Sequence, residues 1–173
     1  LGTTTGLRTG RLYYGDSNPL LNLGPGRTAK FLALDTTYLY HRCAILDNDQ
    51  LKCWGPVNYY GELGNDSTTA PLTANLDTIP AINVGAGRYA VKVTIGQFHI
   101  CALLDDDSIK CWGLNAYGGL GQEHANNLGD AGGEMAALAS VNLGTGLTAQ
   151  DVCAGVHYTC AHINTNNKVK CWG

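Results

Sequence analysis

One phrase occurs three times in this chain: His-Arg-Cys-Ala-Ile…Lys-Cys-Trp-Gly at 41–55, His-Ile-Cys-Ala-Leu…Lys-Cys-Trp-Gly at 99–113, and His-Tyr-Thr-Cys-Ala-His…Lys-Cys-Trp-Gly at 157–173. A repeat of about sixty residues is one supersecondary unit that cannot bury its apolar faces alone, so the fold must come from stacking units side by side. The residues that recur are then committed to the scaffold, and the loops are where function is to be sought.

The rest of each unit follows the same register. Turns of matching type open the units at Asn22-Leu23-Gly24, Asn83-Val84-Gly85 and Asn142-Leu143-Gly144. Apolar stretches follow at 29–34, 91–95 and 149–154, then the cysteine phrase, then a Gly-rich loop after Trp-Gly. Short apolar runs punctuated by Gly, Asn and Asp read as strands and turns. The units are 22–82, 83–141 and 142–173, the last expected to be completed by residues 1–21 of the same or an adjacent unit, because Leu1-Gly2 falls in phase after Gly173.

Six of the seven cysteines form pairs, Cys43 with Cys53, Cys101 with Cys111, and Cys160 with Cys171, each flanking a polar stretch that reads as a hairpin turn. Facing residues of an antiparallel pair lie within disulfide reach, so each pair can close on itself, which places the chain in an oxidising compartment. Zinc is the competing reading, but its knuckles use shorter Cys spacings than these. Cys153 has no counterpart in the other units and is expected to be a buried thiol.

With 45% hydrophobic residues the chain can bury a core, while a net charge of −3 supplies no field for phosphate backbones. No apolar run is long enough for a membrane span. Trp54, Trp112 and Trp172 recur at one scaffold position and are read as packing residues rather than sugar-stacking ones. His41 and His99 are read as hydrogen-bonded structural groups, and the Asp47–Asp49 and Asp105–Asp107 clusters as turn residues rather than calcium ligands. Asn65-Asp66-Ser67 is an N-glycosylation sequon, and Thr3 to Thr5 and Ser67 to Thr69 are O-glycosylation candidates. No catalytic constellation, metal site or cofactor motif emerges.

The order His-x-Cys-Ala-Leu…Lys-Cys-Trp-Gly-x-Asn-x-x-Gly-x-Leu-Gly resembles the regulator of chromosome condensation repeat, in the cysteine-bearing version of secreted and surface proteins. The resemblance implies an all-β fold, a propeller-like array of three four-stranded antiparallel blades. Tyr158, where the second unit has His99, is a departure from the pattern. Relatives include a chromatin-docked nucleotide-exchange factor and a secreted enzyme inhibitor, so the scaffold alone decides no function. The expectation is a non-enzymatic extracellular or cell-surface structural protein, one unit of a larger array or head-to-tail filament that self-associates or continues into further repeats. The alternative is an extracellular module whose loops bind protein or carbohydrate.

Overall fold

The computed structural model describes residues 20–35, 38, 40–71, 75–165 and 167–173. Among these residues nine strands form three separate antiparallel sheets. The first holds β1 (Ala29–Leu34), β2 (Arg42–Leu46) and β3 (Leu51–Trp54). The second holds β4 (Ala90–Ile95), β5 (His99–Leu104) and β6 (Ile109–Gly113). The third holds β7 (Ala149–Ala154), β8 (Thr159–Ile163) and β9 (Lys168–Trp172).

The turn before each first strand is built identically. The side-chain oxygens of Asn22, Asn83 and Asn142 accept from the backbone N–H two residues on, each at 3.0 Å. Gly24, Gly85 and Gly144 then take φ values of 108°, 116° and 114°, which side chains rarely tolerate. Each first strand carries one extra residue, Lys30, Val91 or Gln150, that skips the pairing register. Such bulges increase local twist, and three at one position give the sheets a common shape for stacking.

β4 packs against β1 and β2, and β7 against β4 and β5, so contact between sheets runs through the first strand of each following unit. One core lies between the first two sheets, with Cys43, Ile45 and Leu51 facing Val93, Ile100 and Trp112. A second lies between the second and third sheets, with Cys101, Leu103 and Ile109 facing Val152, Ala161 and Ile163. β5 is buried along its whole length because both of its faces are covered, hence its unbroken apolar run.

Among the described residues the blades are three-stranded rather than four-stranded, and the sheets do not close into a ring. Single contacts stand where a fourth strand was expected. Gly113 and Leu128 exchange two backbone hydrogen bonds of 2.8 and 3.2 Å. Ile82 N–H donates to Leu51 O at 2.8 Å, and Val141 N–H to Ile109 O at 2.7 Å. Pro71 and Pro80 lack the donor a ladder needs. In the next unit Gly129, Gly132 and Gly133 and the short helix α1 (Glu134–Ala137) interrupt the corresponding segment. Completion of the third unit by residues 1–21 falls almost wholly outside the described residues.

Candidate functional site

Two features of the stacked sheets stand out: the seam that joins each unit to the next, and the surfaces on which that seam stops. The seam begins with the tryptophans. Trp112 is fully buried and its indole N–H donates to Glu62 O, in the Gly-rich loop of the preceding unit, at 2.9 Å. Trp172 donates to Gly119 O at 3.0 Å, the equivalent carbonyl one unit on. Trp54, almost fully buried, packs with Leu46, Leu76 and Ile79 behind the first sheet. The loops that accept these bonds are held by Asn58 and Asn115, whose side-chain oxygens accept from Leu63 and Leu120 N–H at 2.8 and 3.2 Å. Sequence reasoning gave these asparagines no role, although their recurrence after Trp-Gly was the available signal.

His99 completes the seam between the second and third sheets. Thr159 Oγ donates its one proton to Gly119 O at 2.8 Å, so His99 Nε2–H, 2.9 Å away, must donate to Thr159 Oγ. Burial, and after it the charge of His157, lowers the His99 pKa to about 4. His41 departs from the expected hydrogen-bonded role. It is fully buried, and neither ring nitrogen has a side-chain partner, because the place of Thr159 is taken between the first two sheets by the apolar Ile100. Burial lowers its pKa too, against the opposing charge of Asp35.

A pH dependence follows. An unfolded histidine titrates near 6.5, whereas His99 in the fold titrates near 4, so between those values the unfolded chain binds a proton that the folded chain refuses. Stability present above pH 6.5 is therefore lost as pH falls through this window, by up to about 3 kcal/mol for His99. His41 acts in the same direction. Buried Glu62, whose pKa is raised first by burial, acts in the opposite one. Urea midpoints at pH 7 and 4.5 measure the loss, and His99→Gln should flatten it; an unchanged slope in that variant would exclude His99 as the source.

The seam stops at two open faces. On the side of each sheet that looks toward the next unit, Leu51 and Ile109 are 2% and 0% exposed, but their counterpart Val169 in the third sheet is 67% exposed. On the opposite side Val93 and Val152 are 2% and 1% exposed, but their counterpart Leu32 in the first sheet is 63% exposed. On the first sheet this side is open along β1 alone, because Ala44, Leu46 and Trp54 beside it are covered by Leu76 and Ile79; β1 and the third sheet's outer side thus carry parts of the two halves of a contact that the molecule makes twice internally.

These positions explain the cysteines. The structure joins Cys43 to Cys53, Cys101 to Cys111, and Cys160 to Cys171. The first two disulfides are buried under the following sheet, while Cys171 lies exposed. Cys153 is exposed, not buried as expected, because it lies on the outer side of the third sheet, which no other sheet covers among the described residues.

A row of aromatic rings runs across the loops at the end of the sheets where β1 joins β2. Tyr38 stacks on Tyr40 at 5.7 Å and on Phe98 at 6.5 Å, Tyr60 meets Phe98 edge-on at 5.7 Å, and Tyr59 meets Tyr60 at 6.3 Å. One unit on, Tyr117 stacks on His157 at 4.1 Å. The row repeats because Tyr60 and Tyr117 are equivalent, as are Tyr40, Phe98 and His157, a periodicity visible in the sequence but not used there.

The opposite end is polar. The Asp47 and Asp105 carboxylates accept from Thr28 and Tyr89 N–H and pair with Arg27 and Arg88. Asp49, Asp107 and Asn167 take positive φ in the hairpin turns. Among the described residues no three His, Cys, Asp or Glu side chains gather as metal ligands, and no helix is long and apolar enough to cross a membrane. Asn65 is exposed, with its amide donating to Thr69 O at 3.1 Å. Thr3 to Thr5 lie outside the described residues.

The family model of the regulator of chromosome condensation (RCC1) repeat matches residues 90–118, which span β4 to β6 and the following Gly-rich loop. Human WBSCR16 is a similar solved structure, at 20% identity and a TM-score of 0.61, with 78% of this chain and 31% of that one covered. Yeast RCC1 (Prp20) bound to Kap60 is similar at 16% identity and a TM-score of 0.60, covering 86% and 30%. Prp20p from Saccharomyces cerevisiae, described with its binding properties to Gsp1p and histones, is similar at 16% identity and 0.60, covering 86% and 31%. The chain therefore spans about a third of the length of these structures, and the likeness is one of fold.

Proposed function

Because the chain carries a regulator of chromosome condensation repeat within a propeller-type stack, we propose that it is a non-enzymatic, extracellular structural module whose open faces are covered by further units of the same kind. The carrying observation is the contrast between Val169 and Leu32, both largely exposed, and their buried counterparts Ile109 and Val93. A head-to-tail contact of one face with the other repeats the internal seam and extends into a filament unless its rotation closes. The three disulfides support an oxidising, extracellular setting. The buried polar side chains support a structural role, since His99, Asn58 and Asn115 are occupied in holding the seam and its loops.

A second reading, a module that binds protein or carbohydrate through its loops, is favoured by the aromatic row, where Tyr38 and Tyr59 leave much of their surface to solvent. Amphipathic rings of this kind suit a ligand with both apolar and hydroxyl surface.

Sedimentation velocity over a concentration series distinguishes them. The wild-type chain is expected to associate, and Leu32→Asp or Val169→Asp to stop growth. A mixture of the two variants should form dimers, because each keeps the face the other has lost. A chain that stays monomeric at every concentration, with tyrosine fluorescence that responds to added oligosaccharide, would overturn assembly in favour of recognition.

A further inference from the structure

In the third sheet the cysteines form a row. Cys153 in β7 is the register partner of Cys160 in β8, and Cys160 is in turn the partner of Cys171 in β9. Directly opposed residues of antiparallel strands project to the same side of a sheet, so all three sulfurs lie on one face. The corresponding third position is Ala33 in the first sheet and Thr94 in the second, so the row is peculiar to this unit. It is also the uncovered unit: Cys153 and Cys171 are exposed and Cys160 is half-buried, whereas the other two disulfides are sealed in the core.

We propose that Cys153 and the Cys160–Cys171 disulfide form an intramolecular thiol–disulfide exchange relay, which moves the free thiol from the first strand of the third sheet to its last. Thiol–disulfide exchange needs the attacking, central and leaving sulfurs in that order along a line. The strand order β7–β8–β9 supplies it. The Cys153 thiolate attacks Cys160 Sγ, the Cys153–Cys160 bond forms and the Cys160–Cys171 bond breaks. Cys171 leaves with the bonding electron pair and takes up a proton from water, replacing the one Cys153 gave up. One disulfide and one thiol are present before and after, so no oxidant or reductant is consumed. The relay leaves a thiol on β9, the last strand of the third sheet, where it can attack a disulfide of another molecule and release one of that molecule's thiols, again with no net oxidation. This does not depend on the assembly reading, since the exchange takes place within one chain.

The full-length chain is incubated without reductant at pH 6, 7 and 8, pulsed with excess iodoacetamide and quenched in acid. Cleavage after Tyr158 and Lys170 then places the three cysteines on separate peptides. Alkylation is expected at Cys171 as well as Cys153, together with a Cys153–Cys160 cross-linked peptide. The rate at which Cys171 label appears should rise with pH, because the thiolate is the attacking species. Cys153→Ser should remove the Cys171 label. Label confined to Cys153 after overnight incubation at pH 8, or Cys171 label persisting in Cys153→Ser, would overturn the proposal. Sedimentation by monomeric chain would leave this outcome unaffected, so the two proposals fail separately.

Discussion

Replacing Trp112 with alanine is expected to destabilise the fold by about 3–5 kcal/mol, the range for deleting a buried large aromatic. The indole is fully buried between the first and second sheets, in the core that also holds Ile45, Leu51 and Val93. Its removal empties the seam and also leaves the Glu62 carbonyl without the indole donor. Trp172→Ala should cost less, because the equivalent ring in the third sheet is only partly buried. Should Trp112→Ala fail to fold, Trp112→Phe keeps most of the packing and isolates the hydrogen bond, with an expected loss of about 1–3 kcal/mol. Chemical denaturation measures each. A loss below about 1 kcal/mol for the alanine variant would mean that the seam does not depend on this ring.

Those costs show why the array was legible from the chain and its edges were not. The hairpin and its disulfide are local: ten residues separate Cys43 from Cys53, and the Asp47-Asn48-Asp49 turn between them has few conformational options. The Asn-x-Gly turns are equally local, with the bond from Gly24 N–H to Asn22 spanning two residues. The missing fourth strand is not local. Among the described residues the segment before Ile82 meets the first sheet through the Ile82 N–H bond to Leu51, the Lys52 ammonium bond to Leu76 O and the packing of Leu76 and Ile79 on Trp54, and no periodicity within that segment distinguishes such contacts from a ladder. Cys153 was misjudged for a related reason. Its strand has the same pattern as β4, and only the absence of a covering unit makes its position exposed. His41 and His99 occupy equivalent places, yet only His99 has a side-chain partner, because the next unit, sixty residues on, offers His99 the Thr159 hydroxyl and offers His41 the apolar Ile100. The aromatic row likewise joins Tyr60 to Phe98 across a seam, so its members look unrelated until the sheets are stacked.

The same seam sets a hierarchy among the disulfides. Under a mild thiol reductant at neutral pH, Cys160–Cys171 should be reduced first, and Cys43–Cys53 and Cys101–Cys111 far more slowly. A thiolate must reach a sulfur to exchange with it. In the third sheet Cys171 is exposed on an open face. In the other two units both cysteines of each pair are at most 1% exposed and lie under the next sheet, so the reductant has to wait for the units to separate. If that opening costs about 5 kcal/mol, at the low end of domain stabilities, the buried bonds react about five-thousandfold more slowly. Timed alkylation with mass-spectrometric mapping reads the order directly. Leu32→Asp should leave it unchanged, because Leu32 lies on the side of the first sheet away from Cys43 and Cys53. Val93→Ala, which loosens the first seam, should speed reduction of Cys43–Cys53 specifically. Reduction of all three bonds at one rate would mean that the sheets open together, and that burial under a neighbouring unit gives a disulfide no protection of its own.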